Sequence, residues 1–261
     1  FEHMSRHQKY GHQYYVSAWA YEFNNGKTGD FKELFTQPAG GASFHQIRIA
    51  DVDGDGRDEM LEGGYAMTGD GTTLFNAGIS HGDRFHTGDI DPERPGLETF
   101  AIQQDAPDML GQILYDAADG TAIKKWYMGG VGDVGRGMAM DVDPDHIGYE
   151  LWSAMDGNVY DAKGEIIPGL ATTWPTEGVW WDGALDREKL DSPDGSGYNP
   201  DVRKFNGSRL IEMGKLSGYT IKSENGKRPM FFGDIIGDWR EELIFKRVYE
   251  DKGCVGIVGF S

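Results

Sequence analysis

The stretch Asp51-Val52-Asp53-Gly54-Asp55-Gly56-Arg57-Asp58-Glu59 decides how this chain is read. Its carboxylates stand at alternate positions, its glycines let the backbone double back, and Glu59 closes the run. Such a loop suits a hard dication, which takes roughly six to eight oxygens at short range. Weaker copies recur along the chain. Asp89 and Asp91 are followed by Glu98. Asp141, Asp143 and Asp145 are followed by Glu150, with one residue inserted. Asp234, Asp238 and Glu242 form a sparser fourth set. Together with Asp51, Asp53, Asp55 and Glu59, these are the expected Ca2+ ligands. A recurring acidic turn implies a repeat architecture in which the ions, mostly structural, belong to the skeleton.

Working outward from that loop, a second unit recurs: an aromatic residue, Asp or Asn, and a turn. It appears at Phe23-Asn24, Phe75-Asn76, Tyr115-Asp116, Tyr160-Asp161 and Phe205-Asn206, with Tyr115, Tyr160 and Phe205 spaced 45 residues apart. That period matches four short antiparallel strands per blade of a β-propeller. The hairpin signals agree. Gln112-Ile113-Leu114-Tyr115 turns at Asp119-Gly120 and returns through Ile123-Lys124-Lys125-Trp126. Asn158-Val159-Tyr160 turns at Lys163-Gly164 and returns through Ile166-Ile167. Strands are also expected at Glu98–Ile102 and Glu242–Phe245, directly after acidic loops. No window carries a sustained helical period. The fold class expected is all-β, with five or six blades' worth of sequence. Residues 1–261 are expected to be part of a single β-propeller domain, and 191–197 a long loop inside it.

Composition narrows the function. The 261 residues carry a net charge of −18, which argues against nucleic acid and anionic membranes as partners. No stretch approaches a membrane span, and a monomer is expected. Cys254, the single cysteine, has no internal disulfide partner and reads as a buried thiol. Trp152 and Trp239 are expected in the core; Trp180 is open to either core packing or stacking on a ligand ring.

The wording of the loops adds a resemblance. His81-Gly82-Asp83-Arg84-Phe85-His86-Thr87-Gly88-Asp89-Ile90-Asp91-Pro92, Asp133-Val134-Gly135-Arg136-Gly137, Gly148-Tyr149-Glu150-Leu151-Trp152, Trp181-Asp182-Gly183-Ala184-Leu185-Asp186 and Gly237-Asp238-Trp239-Arg240-Glu241-Glu242 together resemble the rhamnogalacturonan lyases of polysaccharide lyase family 11. The resemblance runs in order from His45 to Arg247. It implies an eight-bladed, calcium-stabilised propeller and cleavage of the rhamnose–galacturonate backbone of pectin by β-elimination. The substrate in turn implies a secreted or periplasmic protein. On that resemblance, the family's N-terminal β-rich region and closing blades are expected to have no counterpart in this stretch of sequence.

Elimination beside a charged carboxylate needs a cation to stabilise the developing enolate, and a base for the C5 proton. Arg136, flanked by glycines that admit a ligand close to the backbone, is the first catalytic candidate. Arginine rarely gives up its proton, so charge stabilisation is its natural role. Lys227 is the second, as a base whose proton is loosened by neighbouring cations. Its segment Asn225-Gly226-Lys227 is similar to the family's substrate loop, with Arg228 a competitor one residue on. His45, His81 and Asp83 form the third group, for substrate binding or for holding the base. Placed on a strand, His81 and Asp83 share a face. Two other readings stay open: a calcium-loaded propeller that only binds, as an adhesion or carbohydrate-binding module, and a glycoside hydrolase with two spaced carboxylates.

Overall fold

A computed structural model describes residues 2–3, 15–24, 28–38, 40–104, 106, 108–128, 133–171, 174–191, 201–206, 210–215, 221–222, 229–249 and 254–260. Within 2–3, 22–24, 28, 210–215, 221–222, 247–249 and 254–260 it describes the backbone alone. Every regular element among these residues is a strand, and none of them forms a helix able to cross a membrane. The chain divides into two compact units, Phe1–Gly135 and Arg136–Ser261, where one domain is expected from sequence.

The first unit holds three sheets. The first joins β1 (Glu2–His3), β2 (Tyr15–Asn24) and β3 (Thr28–Pro38). The second is a meander of β4 (Arg48–Ala50), β5 (Glu59–Leu61), β6 (Tyr65–Met67) and β7 (Thr73–Asn76). The third is a meander of β8 (Arg84–Gly88), β9 (Glu98–Ile102), β10 (Leu110–Asp116) and β11 (Ala122–Tyr127).

The second unit repeats the plan. Its first sheet is β12 (Gly137–Met140), β13 (Glu150–Ser153) and β14 (Val159–Tyr160), extended by a bridge between Tyr160 and Ile166. The next is β15 (Glu177–Val179), β16 (Glu188–Asp191), β17 (Asp201–Phe205) and β18 (Leu210–Lys215). In the last, β21 (Glu242–Tyr249) pairs with β22 (Cys254–Phe260) on one edge. β19 (Ile221–Lys222) and β20 (Phe231–Gly233) pair with opposite ends of its other edge. All described pairings are antiparallel and link strands close in sequence; no described sheet closes on itself.

Apolar side chains explain why the sheets fold. In the first unit Phe44, Leu61, Phe75, Phe85, Ile113 and Tyr115 share one buried cluster. The Phe75 and Tyr115 rings meet edge to face at 6.0 Å, and the Tyr115 hydroxyl donates to Gly63 O at 3.0 Å. In the second unit Met138, Met140, Trp152, Val159 and Phe205 form one cluster, and Val179, Leu190, Val202, Leu243 and Phe245 another. Each such side chain contributes roughly 1.5–3 kcal/mol when fully buried.

The aromatic–Asx unit now has a physical basis. Tyr115 and Tyr160 are buried, while the following Asp116 and Asp161 accept backbone N–H bonds from Ala118 and Lys163 in the turn beyond. Gly120 and Gly164 take positive φ there, at 75° and 79°. The units are not all equivalent, however. Phe75-Asn76 ends the fourth strand of its sheet, whereas Tyr115, Tyr160 and Phe205 lie in third strands.

Candidate active site and metal-binding loops

The acidic runs all occupy one place in the architecture. Each joins two consecutive, mutually paired strands of a sheet, and each closing glutamate is the first residue of the later strand. The registers are Ala50↔Glu59, Gly88↔Glu98, Met140↔Glu150, Val179↔Glu188 and Gly233↔Glu242. Five loops share the plan. The sequence reading names four of them and passes over the fifth, which runs from Trp180 to Glu188.

The glutamates are the surprise. Their burial is nearly complete, from fully buried for Glu98, Glu150 and Glu188 to 6% exposed for Glu242. One oxygen of each, Oε2, accepts backbone N–H bonds from the loop itself. Glu59 takes Val52; Glu98 takes Ile90 and Asp91; Glu150 takes Val142 and Asp143. Glu188 takes Trp181 and Asp182, and Glu242 takes Ile235 and Ile236. The carboxylate thus ties the loop to the sheet before any ion is considered, because buried N–H groups must find acceptors. Only the second oxygen is left for a cation. In Glu98, Glu150 and Glu242 that Oε1 is buried with no hydrogen-bond partner.

Burial raises four of these acids. Glu150 is pushed up to about 8, chiefly by desolvation, with Asp141 and Asp143 adding repulsion. Glu59, Glu98 and Glu188 are raised for the same leading reason. Asp141 is raised by burial and by the nearby carboxylates of Asp186 and Asp143.

The loops differ in how the charge is met. Asp51, Asp53 and Glu59 bring ligand oxygens within 4.8 Å of one another, a set that fits a dication. The Asp51 and Asp53 side chains also accept bonds from Gly54, Gly56 and Asp55, and Asp55 accepts from Arg57. Gly54 and Gly56 adopt the left-handed φ values of 76° and 85° that this tight winding demands. Asp89, Asp91 and Glu98 do not gather in this way among the described residues. Arg94 lies 3.4 Å from Glu98 Oε1 and 3.2 Å from Asp116 Oδ2. In the third loop Asp143 holds His146 at 3.0 Å and accepts the Asp145 N–H. In the last loop Asp234 accepts N–H bonds from Gly237, Asp238 and Trp239.

Of the substrate and catalytic candidates, the structure brings together His45, His81 and Asp83. The His45 and His81 rings lie 4.8 Å apart, edge to face, and His45 Nε2 is 3.5 Å from Asp83 Oδ1. Ligand atoms of all three fall within 4.8 Å of one another. His81 Nδ1 is 2.5 Å from Ser43 O. A carbonyl only accepts, so the proton sits on Nδ1 and Nε2 carries the lone pair of the neutral ring. The expected strand placement is incorrect: His81 and Asp83 precede β8 in an irregular segment. What fixes them is Gly82, where a Cβ would run into Ile102 O and the Phe44 ring, together with a Gln104 N–H to His81 O bond of 2.8 Å.

Arg136 begins the second unit, half-buried, with its carbonyl accepting from Ala154 N at 2.8 Å. Gly135 before it has φ 72°. Lys227, Asn225, Gly226 and Arg228 lie outside the described residues, as does the Cys254 side chain. Trp152 is buried as expected. Trp239 is not: it is 54% exposed and held at φ 79° by the turn around Asp234. With Trp180, Gly183, Ala184 and Leu185 it lines an open cavity of about 710 Å³.

Among the described residues, six short antiparallel sheets, five with an acidic loop anchored by a buried glutamate, make up an all-β chain. The model of the rhamnogalacturonan lyase family 11 C-terminal domain matches residues 7–254, and the chain belongs to that family. It is 38% identical over 245 residues to the rhamnogalacturonan endolyase YesW of Bacillus subtilis (strain 168), covering 91% of this chain and 37% of the relative. It is 36% identical over 253 residues to the rhamnogalacturonan exolyase YesX of the same organism, covering 91% and 41%. The crystal structure of YesW superposes with a TM-score of 0.78 at 36% identity, over 94% of this chain and 41% of that one. A Bacillus licheniformis rhamnogalacturonan lyase gives 0.79 at 35%, over the same shares. The chain therefore spans about two fifths of the length of these relatives.

Proposed function

We propose that the protein is a polysaccharide lyase that cleaves the rhamnose–galacturonate backbone of rhamnogalacturonan I by calcium-assisted β-elimination, on a β-propeller scaffold. The observation that carries this reading is family membership over nearly the whole chain, joined to the His45–His81–Asp83 cluster. Consecutive antiparallel meanders are the blade plan of a propeller, which supports that architecture.

The chemistry assigns roles to this chain's own residues. Arg136 pairs with the uronate carboxylate and lowers its charge, so that the C5 proton becomes removable. Lys227 takes that proton; the electron pair forms the C4–C5 double bond as the bond from C4 to the glycosidic oxygen breaks, and that oxygen gains a proton. His81 and Asp83 orient the sugar, with Asn225 and Gly226 in the same binding role. The rings of Trp180 and Trp239 offer faces for further sugar residues. Calcium, when bound, supplies positive charge that offsets the clustered loop carboxylates and the uronate; Asp51, Asp53 and Glu59 fit it. A pectic substrate places the protein outside the cell or in the periplasm, working as a monomer.

Incubating the ion-replete full-length protein with rhamnogalacturonan I is expected to raise the ultraviolet absorbance of the unsaturated product. No rise from folded protein contradicts the lyase reading and leaves a binding module. Arg136→Ala is expected to abolish turnover while leaving the melting temperature nearly unchanged; a large fall in melting temperature makes this arginine structural.

A further inference from the structure

The loop of the fifth sheet, Trp180 to Glu188, has the same anchoring glutamate as the others but a different centre. Lys204 Nζ lies 2.7 Å from Asp182 Oδ2, 2.9 Å from Glu188 Oε1 and 3.2 Å from Asp186 Oδ2. An ammonium has three N–H donors, and here three carboxylates take them. The Glu188 oxygen used is Oε1, the atom that stays without a hydrogen-bond partner in Glu98, Glu150 and Glu242.

The position of Lys204 follows from register. Lys189 pairs with Arg203, so the next step along β16 and β17 sets Glu188 opposite Lys204. Residues opposite each other on one face of an antiparallel pair are close enough for their side chains to interact. In the third sheet the residue opposite the loop glutamate is Asp116, paired with Glu98. In the fourth, Leu151↔Tyr160 sets Asp161 opposite Glu150 by the same step. The second sheet places Thr68 opposite Glu59, one step beyond Met60↔Met67. A basic residue faces the glutamate only in the fifth sheet, among these four.

We infer that Lys204 closes this loop as a built-in cation in place of a divalent metal, and that removing the ammonium exposes a latent divalent-cation site formed by Asp182, Asp186 and Glu188. A metal ion at bonding distance from these three oxygens would occupy the space the ammonium fills, and two cations there would repel each other. The bonds to Lys204 and to Ala184 N–H outweigh burial at Asp182, whose carboxyl is held below its ordinary value, and they draw the lysine further towards its charged form. The neighbouring guanidinium, Arg187, points elsewhere, to Gly178 O at 3.0 Å and Glu241 Oε2 at 3.7 Å. Among the described residues, the ammonium is the one cation that meets all three carboxylates at close range.

The test is an ion count. Full-length wild type, Lys204→Met and Asp182→Asn are equilibrated in calcium buffer, freed of loose ions by gel filtration and measured by plasma mass spectrometry. Lys204→Met is expected to carry one more ion per chain than wild type, and Asp182→Asn the same number. Loss of an ion from Asp182→Asn would place a metal in the wild-type loop and overturn the inference. A folded Lys204→Met with an unchanged count would also overturn it. Should Lys204→Met not fold, the Asp182→Asn count still decides whether the native loop is metal-free. The wild-type total reports on the other loops and the differences report on this one, so the calcium reading above and this inference fail separately.

Discussion

Two loops of the same design, 51–59 and 182–188, answer one electrostatic problem in different ways. Both hang from a buried glutamate whose Oε2 accepts loop N–H groups, and both gather carboxylates around its side. In the first, Asp51, Asp53 and Glu59 converge on one another. In the second, Lys204 stands among Asp182, Asp186 and Glu188. The difference teaches that the anchor and the cation are separable. The glutamate fixes the loop through one oxygen and leaves the other to a cation: the Lys204 ammonium in 182–188 and, on our proposal, a soluble ion in 51–59. A tethered ammonium costs no binding entropy from solution but supplies only one positive charge, where a dication supplies two.

The largest effect that sharpens this comparison is chelation. Each site filled at a hundred-fold excess over its Kd stabilises by about 2.7 kcal/mol, so stripping several open loops should lower the melting temperature by many degrees. The contribution of 182–188 should persist, and scanning calorimetry with and without chelator checks it. Next, Lys204→Met in chelator should cost about 3 kcal/mol, because buried acids lose their counter-charge, with recovery on adding calcium. Denaturant titration in both conditions reads it; a loss that calcium does not restore breaks the comparison. Glu59→Gln should cost about 1–2 kcal/mol and one bound ion, since the amide oxygen still caps Val52 N–H while the charge is gone.

The last effect is a pH slope. In metal-free protein burial lifts Glu150 from 4.5 to about 8. The folded state therefore keeps a proton that the unfolded chain has released. Its stabilising share is full below the unfolded value and is lost as pH rises towards about 8. Melting temperature in chelator should fall by a few degrees between about pH 5 and 8, and Glu150→Gln should flatten that slope.

Much of this plan was legible in the residues. The strand read at 98–102 coincides with β9, the strand read at 242–245 opens β21, and the hairpin on Asp119-Gly120 joins β10 to β11. Alternating acids marked four of the five loops because their spacing is local. Lys204 was invisible for the opposite reason: it reaches its loop from the neighbouring strand, and sequence spacing carries no cross-strand register. The glutamates were read as plain ion ligands, since nothing in the sequence says that one oxygen is spent on backbone N–H groups. His81 and Asp83 meet through a glycine packed under Phe44, not through strand alternation. Trp239 is expected in the core as aromatic packing, yet a left-handed turn carries it out.

The most direct test of the account is an anomalous-scattering map from crystals grown with a heavy calcium substitute such as terbium. The account predicts a peak between Asp51, Asp53 and Glu59 and none between Asp182, Asp186 and Glu188. A peak beside Lys204, or an empty map at Asp51, would contradict it.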